Sequence, residues 1–152
     1  MVFFHKIIST GLGIGYIGKG AGTVAAVATC FFWWLFQTDY PNPYLWPFLT
    51  TMFLLVLGIY SGNVVEEIWG KDHQRVVIDE VVGMCIALLY IPLKWPYILI
   101  ALVLFRFFDI LKPLYIRKLE ALPGGWGVMA DDVLAGIYAN LILQFILLFN
   151  LL

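Results

Sequence analysis

The chain has 152 residues, 62% of them hydrophobic and 12% charged, against roughly 45–50% and about 25% in an ordinary soluble domain. A soluble chain of this size buries only about two-thirds of its surface, so this composition would leave wide apolar patches in water and points to a bilayer as solvent. A net charge of −1, with no run of five Lys/Arg residues, excludes nucleic acid as a partner.

In chain order, a single Lys6 precedes Ile7-Ile8 and no small-residue cleavage site follows, so no removable signal peptide is expected. Residues 11–23 are glycine-rich and contain a formal G-x-G-x-x-G at Gly13–Gly18. A dinucleotide fold needs a strand before that motif and a soluble helix after it, whereas an apolar segment follows here. The same stretch misses a P-loop because Gly20 stands where Ser/Thr is required. What remains is generic: bare backbone N–H groups, Lys19 and the Thr23 hydroxyl near a helix N-terminus can cradle a phosphate. The structural alternative is a closely packed interfacial loop.

Residues 20–38, 40–65 and 133–152 lack Asp, Glu, Lys and Arg, and predict membrane helices near 22–38, 44–61 and 132–151, with Asp39–Pro43 as the first turn. Between Val81 and Phe105 the only charge is Lys94, flanked by Pro92 and Pro96, and two helix breakers around a charge predict a hairpin rather than one span. To cross a core about 30 Å thick the two arms must extend to 76–92 and 95–111. That extension draws Asp79, Glu80, Arg106 and Asp109 to the membrane edge, where ionisable groups mark function by default. The expected fold is an all-α, polytopic membrane bundle of about five helices forming one domain. Lys6, Lys19, Lys71, Arg75, Arg106, Lys112, Arg117 and Lys118 then share one side with nine of the ten acids, and only Lys94 and Asp39 lie opposite. The positive-inside rule makes the crowded side cytoplasmic.

Three clusters fall at that edge. Asp79-Glu80 opens the third helix, with Gly83 and Ala87 following as a small-residue stripe; helix capping is the structural alternative. Arg106, Asp109 and Lys112 recur every three residues until Pro113, where a plain ion pair would be the structural reading. Asp131-Asp132 opens the last helix, and Asp132, Gly136, Asn140 and Gln144 form an inward polar stripe, with N-capping by Asp131 as the simpler account. Carboxylates without neighbouring imidazole or thiolate suit a hard cation such as magnesium, and the adjacent Arg and Lys suit a phosphate. His5 and His73 read as lone structural histidines, Glu66-Glu67 as an interfacial pair to which the site could extend through Glu66, and Cys30 and Cys85 as packing. Trp33, Trp34, Trp46, Trp69 and Trp95 read as an aromatic belt. The chain has no C-x5-R after either cysteine, no D-x-D and no K-x6-R-P, which leaves metal-assisted hydrolysis with water as nucleophile.

Val77-Ile-Asp79-Glu80-Val-Val-Gly83, Phe105-Arg106-Phe-Phe-Asp109-Ile-Leu-Lys112-Pro113 and Gly124-Gly-Trp-Gly-Val-Met-Ala-Asp131-Asp132-Val-Leu-Ala-Gly136 together resemble the phosphatidylglycerophosphatase A family. The resemblance runs from about Gly11 over most of the chain, and Ala21-Gly22-Thr23 stands where the family has Pro-Gly-Thr. It implies a bacterial inner-membrane enzyme, its site facing the cytoplasm, that removes the terminal phosphate of phosphatidylglycerophosphate with magnesium. On that expectation Asp79, Glu80, Asp109, Asp131 and Asp132 form the pool of metal ligands and water-activating base. Arg106, Lys112, Lys19 and Thr23 hold the lipid phosphate. The rival class, a small transporter or channel, would need ionisable groups at mid-depth, and the central parts of the five predicted helices carry none.

Overall fold

The structure, a computed structural model, describes residues 2–37, 42–71 and 73–149. Among these residues every regular element is helical: α1 (Val2–Ser9), α2 (Ala21–Gln37), α3 (Leu45–Trp69), α4 (Ile78–Leu88), α5 (Trp95–Leu111), the single turn α6 (Ile116–Leu119) and α7 (Gly124–Leu148). A short 3-10 turn, Ile14–Ile17, sits in the glycine-rich segment between α1 and α2. The α3 and α7 helices are long and apolar enough to cross a membrane. Of the turn expected at Asp39–Pro43, residues 38–41 lie outside the described residues; Asn42 accepts the Tyr44 and Leu45 N–H groups at 3.0 Å ahead of α3.

The hairpin between Pro92 and Pro96 is present. The chain leaves α4 at Leu88, turns through Tyr90 at φ 62°, and re-enters a helix at Trp95 with Pro96 in its first turn, where a missing N–H costs nothing. Trp34 near the end of α2 packs on Trp95 at 5.3 Å between ring centroids, and Tyr44 before α3 stacks on Tyr90 at 6.2 Å. These contacts gather the α2, α4 and α5 ends away from the acids. The α5 helix stops at Lys112, in the left-handed conformation (φ 46°, ψ 51°) just before Pro113.

Three expectations are corrected. The third predicted helix does not fill 76–92: α4 has 11 residues, about 16 Å of rise. Its C-terminal carbonyls are met instead by Asn140 of α7, whose Nδ2 donates to the Ala87 and Leu89 oxygens at 3.1 and 2.8 Å. A helix can end in an apolar interior when a side chain satisfies the backbone there. The last helix starts at Gly124, two turns before 132, so Asp131 does not cap it. That end is held by Asn63 of α3, whose Oδ1 accepts the Gly125 N–H at 2.7 Å. Trp33 is buried in the main core with Phe105, Met84 and Leu143 and does not belong to an interfacial belt.

The α4 helix is the centre of the packing, touching α2, α3, α5 and α7, and every residue from Val82 to Leu88 is buried. It crosses α7 where two glycines meet. A Cβ on Gly136 would lie 2.3 Å from the Gly83 oxygen, and one on Gly83 would lie 2.7 Å from the Asp132 oxygen. The outer faces of the bundle stay apolar, as at Phe53, Val56, Val103 and Phe145.

Candidate active site

Asp79 stands four residues before Gly83 on α4, and Asp132 four residues before Gly136 on α7. Four residues are about one helical turn, so each acid projects from the same face as its glycine, one turn toward the N-terminus. Because the two glycines bring the backbones into contact, they also bring the two acids together. Carboxylate oxygens of Asp79, Glu80 and Asp132 lie within 4.8 Å of one another.

The end of α5 closes the cluster from the side. Arg106 forms a close ion pair with Asp109 through Nη1 and Oδ2, and the same Nη1 lies 4.0 Å from Glu80 Oε1. Lys112 Nζ bridges Asp131 Oδ2 and Glu120 Oε1, each at 2.6 Å. Burial pulls the Lys112 ammonium down, but its hydrogen bonds to Asp131 and Glu120 outweigh that cost, and the amine is held above its ordinary range. From the other side, α2 begins against the acids: a Cβ on Gly22 would lie 2.0 Å from Glu80 Oε1. No residue larger than glycine could stand there without moving the carboxylate.

These groups line one polar cavity of about 370 Å³. Asp79, Glu80, Asp109, Asp131, Asp132, Arg106, Lys112 and Lys19 all reach it, so eight of the nine residues singled out in the sequence are gathered in one place. Thr23 is not among them; it is exposed on the first turn of α2. Gly18, Gly20 and Gly22 contribute backbone to the wall. Glu66 lies near the end of α3, outside the lining. The Arg106–Asp109 ion pair is present, but with Glu80 as a second partner and a shared cavity it is not merely local.

Sequence reasoning passed over His73 and Gln74, which also line the cavity. His73 rests on Trp69 at 5.4 Å between centroids, and its Nδ1 accepts the Arg75 N–H at 3.2 Å. With Nδ1 accepting, the donor nitrogen of the ring is Nε2. The available signal was position: His73 stands six residues before Asp79, just ahead of the helix that carries the acids.

Five carboxylates against three cations leave the cavity short of positive charge, and a phosphate dianion would deepen that deficit. Glu80 Oε2 and Arg106 Nε are buried without a hydrogen-bond partner among the described residues. An all-oxygen donor set with an unsatisfied carboxylate oxygen fits a hard divalent cation, and the guanidinium edge fits a phosphate oxygen.

The sequence profile of the family described as "PgpA: Phosphatidylglycerophosphatase A" matches residues 7–147. A Bacteroides thetaiotaomicron protein named "Putative phosphatidylinositol-3-phosphatase" is 42% identical over 149 residues, covering 93% of this chain and 92% of that protein. Proteins named phosphatidylglycerophosphatase A from Haemophilus influenzae and Escherichia coli are 39% and 32% identical, covering 90% and 92% of this chain and 84% and 81% of their own length. No solved structure gives a significant match.

Proposed function

Because this chain belongs to the phosphatidylglycerophosphatase A family, we propose that it hydrolyses the terminal phosphomonoester of phosphatidylglycerophosphate, releasing phosphatidylglycerol and inorganic phosphate. The observation that carries this reading is the carboxylate triad of Asp79, Glu80 and Asp132 facing Arg106 and Lys112 across one cavity. Asp79, Glu80 and Asp132 would hold magnesium, with Asp109 and Asp131 beside them. The ion would supply charge neutralisation and polarisation of the phosphoryl group. Arg106 and Lys112 would bind the phosphate oxygens, Arg106 through two N–H groups at once. A water molecule attacks phosphorus and gives up a proton to a carboxylate of the cluster. The bond from phosphorus to the glycerol oxygen breaks, and that oxygen takes up the proton that the carboxylate received from water.

The same reading makes the chain a membrane protein of the bacterial inner membrane. Large apolar side chains cover the outer faces of α2, α3, α5 and α7, and a protein in water would not expose so many together. With α4 as a short buried arm of the hairpin, the chain passes from one side to the other five times. Lys6, Lys19, Arg75, Arg106 and Lys112 gather at the site end, and Lys94 lies at the other, so the positive-inside rule turns the site to the cytoplasm. Among the described residues no charge lies at mid-depth between the two ends, which also disfavours a transport path.

Purified protein in phosphatidylglycerol vesicles tests the reaction. Phosphate should be released from phosphatidylglycerophosphate with magnesium and not in EDTA. Full turnover in EDTA would sink the metal role, and faster turnover of phosphatidylinositol 3-phosphate would move the substrate to the class in the Bacteroides relative's name. Single cysteines at positions 71, 94 and 118, in a background lacking Cys30 and Cys85, test the topology: only position 94 should react with an impermeant thiol reagent from outside cells.

A further inference from the structure

A second cavity, of about 400 Å³, lies between α2, α3 and α4, and its character is opposite to the first. Ala25, Ala28 and Phe32 of α2, Leu54 and Leu57 of α3 and Val81 of α4 form its walls. Thr29 also faces it, but its hydroxyl donates to the Ala25 oxygen at 2.8 Å, so that polar group is already satisfied within its own helix. The cavity opens to the outside of the bundle at Phe32 and Phe36, which line it and are exposed.

The two cavities share their walls. On α2, Gly22 faces the acids and Ala25, three residues on, faces the apolar groove. On α4, Asp79 and Glu80 line the first cavity, while Ile78 and Val81 on either side of them line the second. The glycine-rich segment does the same: Gly11, Leu12 and Ile14 border the groove, and Gly18–Gly20 border the polar cavity. From Ala25 to Gln37 the groove follows α2 for about 18 Å of helix rise. One leaflet of a bilayer core about 30 Å thick is about 15 Å deep. A molecule with an anionic phosphate at one end and an apolar chain one leaflet long at the other matches both cavities at once.

We propose that the groove between α2, α3 and α4 holds one acyl chain of the phospholipid whose phosphate enters the polar cavity; this rests on the lipid-phosphatase reading above. A chain moving from bilayer to groove leaves one apolar medium for another, so it gains little hydrophobic energy. What it gains is orientation: a lipid anchored along α2 presents its headgroup to the acids at a fixed depth.

Two measurements test this. In the first, vesicles carry phosphatidylglycerophosphate with a photoreactive diazirine midway along one acyl chain, and labelled residues are mapped by mass spectrometry. The label should concentrate on residues 25–36 and 54–57 and exceed that from an equally modified phosphatidylcholine. Equal labelling by both lipids, or labelling spread over the outer faces of α5 and α7, would make the groove a seat for bulk lipid and overturn the proposal. In the second, Ala28→Phe fills the groove, with Val103→Phe on the outer face of α5 as a control that introduces the same side chain away from it. The ratio of turnover on the long-chain lipid to turnover on its deacylated headgroup should fall about tenfold in the first variant and not in the second. An unchanged ratio with Ala28→Phe would overturn the proposal. Wild-type protein that releases phosphate from neither compound would instead sink the phosphatase reading.

Discussion

The α4–α7 crossing and the groove between α2, α3 and α4 sit side by side, and they are built by opposite rules. At the first, Gly83 and Gly136 let two backbones touch, and Asn140 of α7 meets the carbonyls at the end of α4. At the second, α2 and α3 both pack on α4 but stand apart from each other, and an apolar groove stays open. The tight crossing is where charge is concentrated: it holds Asp79 and Asp132 one turn from the contact, at a separation that mutual repulsion alone would not permit. The groove is lined by no charged residue. Close packing here is a device for forcing like charges together, and it is absent where the molecule has only to accommodate an apolar chain.

The largest effect is expected at Gly136. Gly136→Leu places atoms where the Gly83 oxygen already lies, and overpacking of this kind costs about 1–3 kcal/mol or more. Phosphate release should become undetectable and the thermal midpoint in detergent should fall. A variant with wild-type activity would mean that the crossing does not set the carboxylate geometry.

Asp132→Asn keeps the volume and removes one charge from the cluster. Turnover should drop by about 100-fold or more while the melting curve stays at or above wild type, since a repulsion has been relieved. Arg106→Lys retains the charge but not the two-pronged geometry, and charge-assisted hydrogen bonds of this kind are worth about 1.5–3 kcal/mol, or roughly 10- to 100-fold in kcat/KM. Steady-state kinetics at saturating magnesium separates the two variants.

Asn140→Leu tests the far end of the same helix pair. Two carbonyls of α4 lose their donor, which should cost about 1–3 kcal/mol of stability by chemical or thermal unfolding. Activity in the surviving protein should fall less than with Asp132→Asn, because the acids lie two turns away. The smallest effect is expected at Lys19, an exposed cation at the cavity rim. Lys19→Ala should raise KM about two- to fivefold, and added salt should erase the difference.

Much of the site was legible before the fold. Its acids and cations stand in otherwise apolar sequence, where each charge needs a reason, and prolines on either side of Lys94 decide that the chain turns back. That turn puts the start of α4 and the end of α5 at one end, and the Glu80–Arg106 approach follows from it. His73 was not legible, because a histidine in a short polar segment has no pattern to distinguish it, and its place in the cavity comes from the path of the loop over Trp69.

The residue sequence by itself determined the helical class, the positions of the apolar segments, the hairpin and the pool of charged residues, because hydrophobic runs and helix breakers act locally. Tertiary structure decided what depends on a partner across space. Asn63, not Asp131, meets the backbone at the start of α7, so the helix begins two turns early and carries Asp131 and Asp132 inside it. Asn140 supplies the donors at the end of α4, so that helix can stop after 11 residues in an apolar interior. Both choices turn on a side chain more than 50 residues away in the chain, 62 for Asn63 and Gly125 and 53 for Asn140 and Ala87, and no periodicity within a helix records such a bond.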